Sequence, residues 1–145
     1  DVDTIGFGDL EMEVLWPPAD AAAVTDDDPN SHSIVGLLEW RRFRMLLTGD
    51  AEAGMAPLDP GPLDVLKVAH HGAALTTGQA MIEQARPAAA VISVGVNNYG
   101  HPDPGVLERL ADQGCLVFST RTCGAIRFDC RSNQLTVRTM AGGQP

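Results

Sequence analysis

Val65-Leu66-Lys67-Val68-Ala69-His70-His71-Gly72 is a short, nearly continuous apolar run that stops on two histidines and a glycine. A strand buried on both faces loses polar alternation, so residues 64–69 predict a buried strand. Two further segments share this design. Met45-Leu46-Leu47-Thr48-Gly49-Asp50 precedes it, and Ile92-Ser93-Val94-Gly95-Val96-Asn97-Asn98-Tyr99-Gly100-His101-Pro102 follows. Between the last two, Thr76-Thr77-Gly78-Gln79 fits a capping box, with Thr76 as N-cap and Gln79 reaching back, which predicts a helix through about Ala85. Asp103-Pro104 opens another helix, with Leu107 and Leu110 as its apolar face and Gly114 as its stop. Buried strands separated by helices imply a layered α/β sandwich.

Working outward, residues 12–16 carry a short strand pattern stopped by Pro17-Pro18. Residues 19–32 lack periodicity and predict a loop. Residues 33–39 and 43–48 predict two strands joined as a hairpin through Trp40-Arg41-Arg42. Beyond the second helix, residues 115–119, 124–129 and 134–139 predict a small antiparallel group. The whole chain, 145 residues long, is one domain's worth. Its abrupt opening on Asp1-Val2-Asp3, without Met, suggests a piece of a longer protein.

The hydrophobic share is 44% and the net charge −9, with every charged residue before Arg41 acidic. Generic electrostatic affinity for nucleic acid, which rests on Lys and Arg, is not expected of such a surface. The run Asp26-Asp27-Asp28 is either a solvated acidic loop or charge that bound divalent cations offset locally. No apolar run reaches the length of a membrane span. Three cysteines without CxxC spacing exclude a zinc knuckle and a thioredoxin-type motif. Cys123 and Cys130 bracket one predicted strand, which holds them too far apart to pair, while a bridge from Cys115 to Cys130 stays open.

Strand ends in layered α/β folds are where ligands and metals are held. Asp50 on one such end and His70 on another are mixed oxygen and nitrogen donors of the kind zinc or manganese accepts. A carboxylate at Asp50 has the two oxygens needed to bridge a pair of ions. Other roles stand beside these: Asp50 as N-cap of a helical turn over 51–56, His70 as a satisfied core residue, and Asn97 to His101 as ordinary turn chemistry.

Taken in order, LLTGDAE, DVLKVAHHGA, AAAVISVGVNNYGHPDPGVLERLADQG and TRTCGAIRF resemble the C-terminal metallo-β-lactamase-like domain of ComEC-type competence proteins. The resemblance runs from about Met12 to the last strand, so residues 1–145 read as a partial domain of that kind. It implies an αββα sandwich of which the C-terminal half is present. The N-terminal half, with its HxHxDH-type motif, is absent. It further implies a metal-dependent hydrolase, a phosphodiesterase or nuclease of DNA uptake, with two zinc or manganese ions in the complete domain.

Residue by residue, Asp50 matches the bridging, catalytic carboxylate and His70 the last histidine ligand. His71 then falls to a catalytic or substrate-facing role. Asn97, Asn98 and His101 match a segment near the site, on the substrate side. The family's HHGS reads HHGA here, with Ala73. Thr76 is the candidate replacement for that lost hydroxyl in contacting a phosphate, with Thr77 beside it. His32 lies near where related enzymes place a middle ligand. The resemblance also implies single-stranded DNA as partner and a soluble domain on the extracytoplasmic face of a membrane-embedded parent. A half-sandwich is expected to self-associate. Two other functions remain open: a non-catalytic module binding DNA or a partner protein, and a metallohydrolase for another ester.

Overall fold

In the computed structural model, which describes residues 3–18, 27–52, 59–131 and 134–140, seven strands lie side by side in chain order. β1 (Thr4–Phe7), β2 (Leu10–Trp16), β3 (Val35–Trp40) and β4 (Phe43–Leu47) form an antiparallel meander. β5 (Val65–Lys67), β6 (Ala89–Ile92) and β7 (Leu116–Ser119) then add in parallel, β5 against β4 and each against the strand before it. Short connections make two of the antiparallel pairs, β1 with β2 and β3 with β4, while residues 17–34 bring β3 back against β2. β3 and β4 are joined by Arg41 and Arg42 alone, with Arg41 at φ 57 as tight hairpins require. The later strands are joined by crossovers long enough to return the chain to the same end of the sheet.

Two crossovers carry helices, α1 (Gln79–Ala85) before β6 and α2 (Pro104–Asp112) before β7. Asp103 caps α2 as its sequence predicts, its carboxylate accepting from the Gly105 amide at 2.8 Å. Neighbouring residues of a strand point to opposite faces, and β6 divides the core accordingly. Ala90 and Ile92 join Leu46 and Leu66 of the sheet, Ile82 and Ala85 of α1, and Val106 and Leu110 of α2. Ala89 instead meets Phe118 and Cys123, closed over by Ile126, Phe128 and Val137. These last three belong to a separate two-stranded antiparallel sheet, β8 (Ile126–Arg131) and β9 (Gln134–Thr139). The result is a mixed α/β arrangement dominated by one large sheet. Full burial of side chains such as Leu66 and Ile82, at about 1.5–3 kcal/mol each, makes this centre the main source of stability.

Several expectations change. β1 has no counterpart in the sequence reading, because all four of its residues are exposed and leave no periodic face. β7 belongs to the large sheet and not to an antiparallel group with β8 and β9. The capping box does not form: Gly78 is the N-cap of α1 and makes no side-chain cap bond. Within the expected loop, Pro29–His32 is a 3-10 turn capped by Asp28, whose carboxylate accepts from the Asn30 amide at 2.9 Å. Residues 19–26 of that loop, Asp26 of the acidic run among them, and most of the turn expected over 51–56 lie outside the described residues. All three cysteines are free thiols, so the Cys115–Cys130 bridge is not made. No helix among the described residues is long and apolar enough to cross a membrane.

Candidate functional site at the strand ends

β4, β5 and β6 run parallel, so their C-terminal ends bring the three polar segments to one rim of the sheet. At the end of β5 the chain enters a tight 3-10 stretch, Ala69–Gly72, in which His70 (φ 46, ψ 49) and His71 (φ 55, ψ 19) are both left-handed. Each non-glycine residue held there costs about 1–2 kcal/mol, and such strain collects at functional sites. Bonds to other segments hold it. The His70 amide donates to the Gly49 carbonyl at 3.1 Å, and the Asp103 amide to the Gly72 carbonyl at 2.8 Å. Within the turn, the Ala73 amide donates to the His70 carbonyl at 3.0 Å. Gly72 itself sits at φ +82 and would, with a Cβ, meet the Pro102 Cβ at 2.8 Å. HHG is thereby seated directly on GHP.

Gly49 joins the other end. Its carbonyl also accepts from Lys67 Nζ at 3.0 Å, while the Asp50 amide donates to Ser33 Oγ at 3.1 Å. Burial pushes the Lys67 ammonium below its ordinary pKa, and the negative charge of Asp50 opposes that shift. Asp50 therefore has a cationic neighbour already, supplied by the adjacent strand.

Four rings run in series across the rim. His71 and His70 meet edge-on at 6.2 Å between centroids, His70 and His101 at 5.9 Å, and Tyr99 stacks on His101 at 5.9 Å with 20° between planes. His70 Nδ1 is buried without a hydrogen-bond partner. A buried polar nitrogen left this way costs about 1–3 kcal/mol; in the tautomer with Nδ1 unprotonated the position suits a cation. His71 Nδ1 lies 2.6 Å from the Ser93 carbonyl. A carbonyl only accepts, so Nδ1 carries the proton and Nε2 is left as the basic nitrogen. Beside these rings opens a cavity of about 430 Å³, lined by His71, Ser93, Asn97, Tyr99, His101 and Thr120.

The structure thus collects Asp50, His70, His71, Asn97 and His101 on one rim. Asn97 proves to be an organiser of its loop. Its Oδ1 accepts from the amides of Tyr99 and His101, at 3.0 and 3.1 Å, and its Nδ2 donates to the carbonyls of His101 and Gly95, at 2.8 and 3.1 Å. Asn98 is exposed. Thr76 is 1% exposed and commits its hydroxyl to the carbonyls of Ala73 at 2.7 Å and Ala69 at 3.2 Å, so it faces the turn after HHG and not a ligand. His32 is exposed on its 3-10 turn. Among the described residues no three His, Cys, Asp or Glu side chains converge as a cation site. The buried, unpartnered nitrogen of His70 fits a metal ligand; the described residues do not by themselves close the shell around one.

Lys67, Ser93, Tyr99 and Thr120 were not singled out from sequence. A lone charge inside an apolar strand could have marked Lys67. Thr120, which accepts from the Val94 amide at 2.8 Å and donates to the Val94 carbonyl at 2.9 Å, gave no local signal.

No family profile matches the chain. Two individual proteins do. The chain is 36% identical over 132 residues, 87% of its length, to ComE operon protein 3 of Bacillus subtilis. It is 36% identical over 133 residues, 89% of its length, to Recombination protein 2 of Haemophilus influenzae. By sequence it is a relative of competence-related proteins. It spans 16% of the length of each of these two relatives.

Proposed function

We propose that this chain is the C-terminal part of a metallo-β-lactamase-type sandwich, and that the complete domain is a metal-dependent phosphodiesterase acting on DNA during uptake. The observation that carries the reading is the rim itself. Asp50 and His70 stand at the ends of adjacent parallel strands, tied through one carbonyl, and His70 Nδ1 is buried without a partner. The two competence-related relatives support a role in DNA uptake.

Asp50 and His70 would hold part of the shell of two divalent ions, zinc or manganese, completed by residues beyond this chain. Bound there, the ions would supply an activated water and polarise a phosphoryl oxygen. His71 keeps Nε2 as proton acceptor because Ser93 fixes its tautomer. His101 borders the same cavity on the substrate side. Single-stranded DNA would be the substrate, and the parent protein would be membrane-embedded with this domain on its extracytoplasmic face.

The test is Asp50→Asn in the longer protein that carries this chain. Asn keeps the shape and capping capacity but not the anionic oxygens. Metal occupancy and hydrolysis of a single-stranded oligonucleotide should fall about 100-fold or more, while metal-free thermal stability stays put. Full metal content with undiminished hydrolysis would remove Asp50 from the site. A second reading is a non-catalytic module of the uptake machinery that binds DNA or a partner protein, to which the two competence-related relatives lend equal support. Absence of hydrolysis in the metal-loaded parent would favour it.

A further inference from the structure

Tyr99 is the only tyrosine in the sequence and is 84% exposed, an unusual place for a large aromatic ring held so firmly. The loop around it is not loose. Asn97 clamps the backbone on both sides of Tyr99 with four side-chain hydrogen bonds, one of them from the Tyr99 amide itself. One face of the ring lies against His101, which in turn touches His70. The ring stands at the mouth of the 430 Å³ cavity, a volume in the range of small-ligand sites. Among the described residues the cavity lining contains no Lys or Arg, and the chain carries a net charge of −9. Within the described lining, Lys and Arg therefore do not supply phosphate neutralisation at the mouth.

We propose that Tyr99 is a stacking platform for one unpaired nucleobase, which seats a single strand with its backbone beside His71 and His101. It deepens the phosphodiesterase reading and rests on the same cavity being the substrate entrance. A flat ring with one face backed by a second ring and the other turned outward matches a base in shape and polarity, and is indifferent to which base it is. Bases inside a duplex have both faces covered, so the platform selects unpaired strands. Because Asn97 fixes the loop beforehand, little ordering is needed when the base arrives. Tyr99 is thus a specificity-determining residue for strandedness, not a group in proton transfer.

The experiment uses the longer protein that carries this chain, held in chelator so that no hydrolysis enters. Fluorescence anisotropy compares an oligothymidylate with an oligomer of equal length and charge whose central sugars are abasic. The intact strand should bind about tenfold more tightly, the order expected of one stacked base. Tyr99→Phe should keep that preference and Tyr99→Ala should abolish it. Photocrosslinking with 5-iododeoxyuridine in the same strand should mark Tyr99. Equal affinity for the two strands, no binding of either, a preference that survives Tyr99→Ala, or crosslinks only elsewhere would each overturn the platform. Loss of hydrolysis in the metal-loaded parent with the base preference intact would sink the phosphodiesterase reading alone. Hydrolysis without base preference would sink the platform alone.

Discussion

Gly72 is the point where HHG meets GHP, and Gly72→Ala measures how tightly they are joined. Two costs add. At φ +82 an L side chain is held in a region it avoids, at about 1–2 kcal/mol. The new Cβ would also stand 2.8 Å from Pro102 Cβ and 3.2 Å from Pro102 Cα. Both atoms are part of a ring, so neither can swing aside as the end of a flexible side chain would. Overpacking of this kind costs about 1–3 kcal/mol. Alanine's smaller unfolded-state entropy offsets about 0.4–1 kcal/mol, leaving a net loss of about 1–4.5 kcal/mol, centred on about 3 kcal/mol. Gly100→Ala is the internal control, since Gly100 has φ +78 but nothing within 4 Å of where its Cβ would stand. It should cost only the backbone share, about 1 kcal/mol or less. In urea unfolding, with a slope on the order of 2 kcal/mol/M, the midpoint should drop about 0.5–2 M, centred on about 1.5 M, for Gly72→Ala and about 0.5 M or less for Gly100→Ala. Equal shifts in the two variants would refute the claim that the loops are locked through this contact.

Other outcomes follow from burial and exposure. Burial pushes the Cys115 thiol up to about 11, so the folded state keeps a proton that the unfolded chain releases from about pH 8.5. Its contribution to stability is whole below that pH and is lost as pH rises towards 11; Cys115→Val should flatten the fall in urea midpoint over that window. Leu66→Ala, at a fully buried position of β5, should cost about 2–5 kcal/mol by calorimetry, against less than about 1 kcal/mol for Leu116→Ala at a 53% exposed position. β1 is an edge strand, and its Phe7 is 71% exposed; the chain should self-associate with rising concentration in light scattering, and Phe7→Lys should reduce it. A wild-type chain that stays monomeric throughout would count against that edge.

The central strands were legible because burial leaves a plain compositional mark. Residues 64–69 and 88–94 are apolar runs, and β5 and β6 form inside them. The Asp103-Pro104 start of α2 was legible because a side-chain cap and a preset φ act locally. β7 was misassigned because a short strand pattern does not encode its neighbour, although the helix ahead of it pointed to a parallel crossover. Thr76 misled for a physical reason. Its hydroxyl is taken up by the carbonyls of Ala69 and Ala73, so it is not free to cap, and Gly78 takes the N-cap position. Asp50, His70 and His101 were each visible as residues at strand ends. Their meeting on one rim follows from the parallel register, and the contact of His70 with His101 from the seating of Gly72 on Pro102, neither of which spacing along a sequence contains.

In the large sheet every strand lies beside its neighbour in sequence. A nascent polypeptide emerging from its N-terminal end would thus always find the next partner already made. β2 needs only β1, β3 only β2, and so on to β7, without a gap left for a later segment to fill. The pairs β1–β2 and β3–β4 close short loops and are the quick ones, whereas β3, β5, β6 and β7 each wait for a longer connection to be synthesised and folded back. Connectivity of this kind permits growth from one edge, in which the rim bearing His70 and His101 takes shape only once β5 and β6 have added to β4.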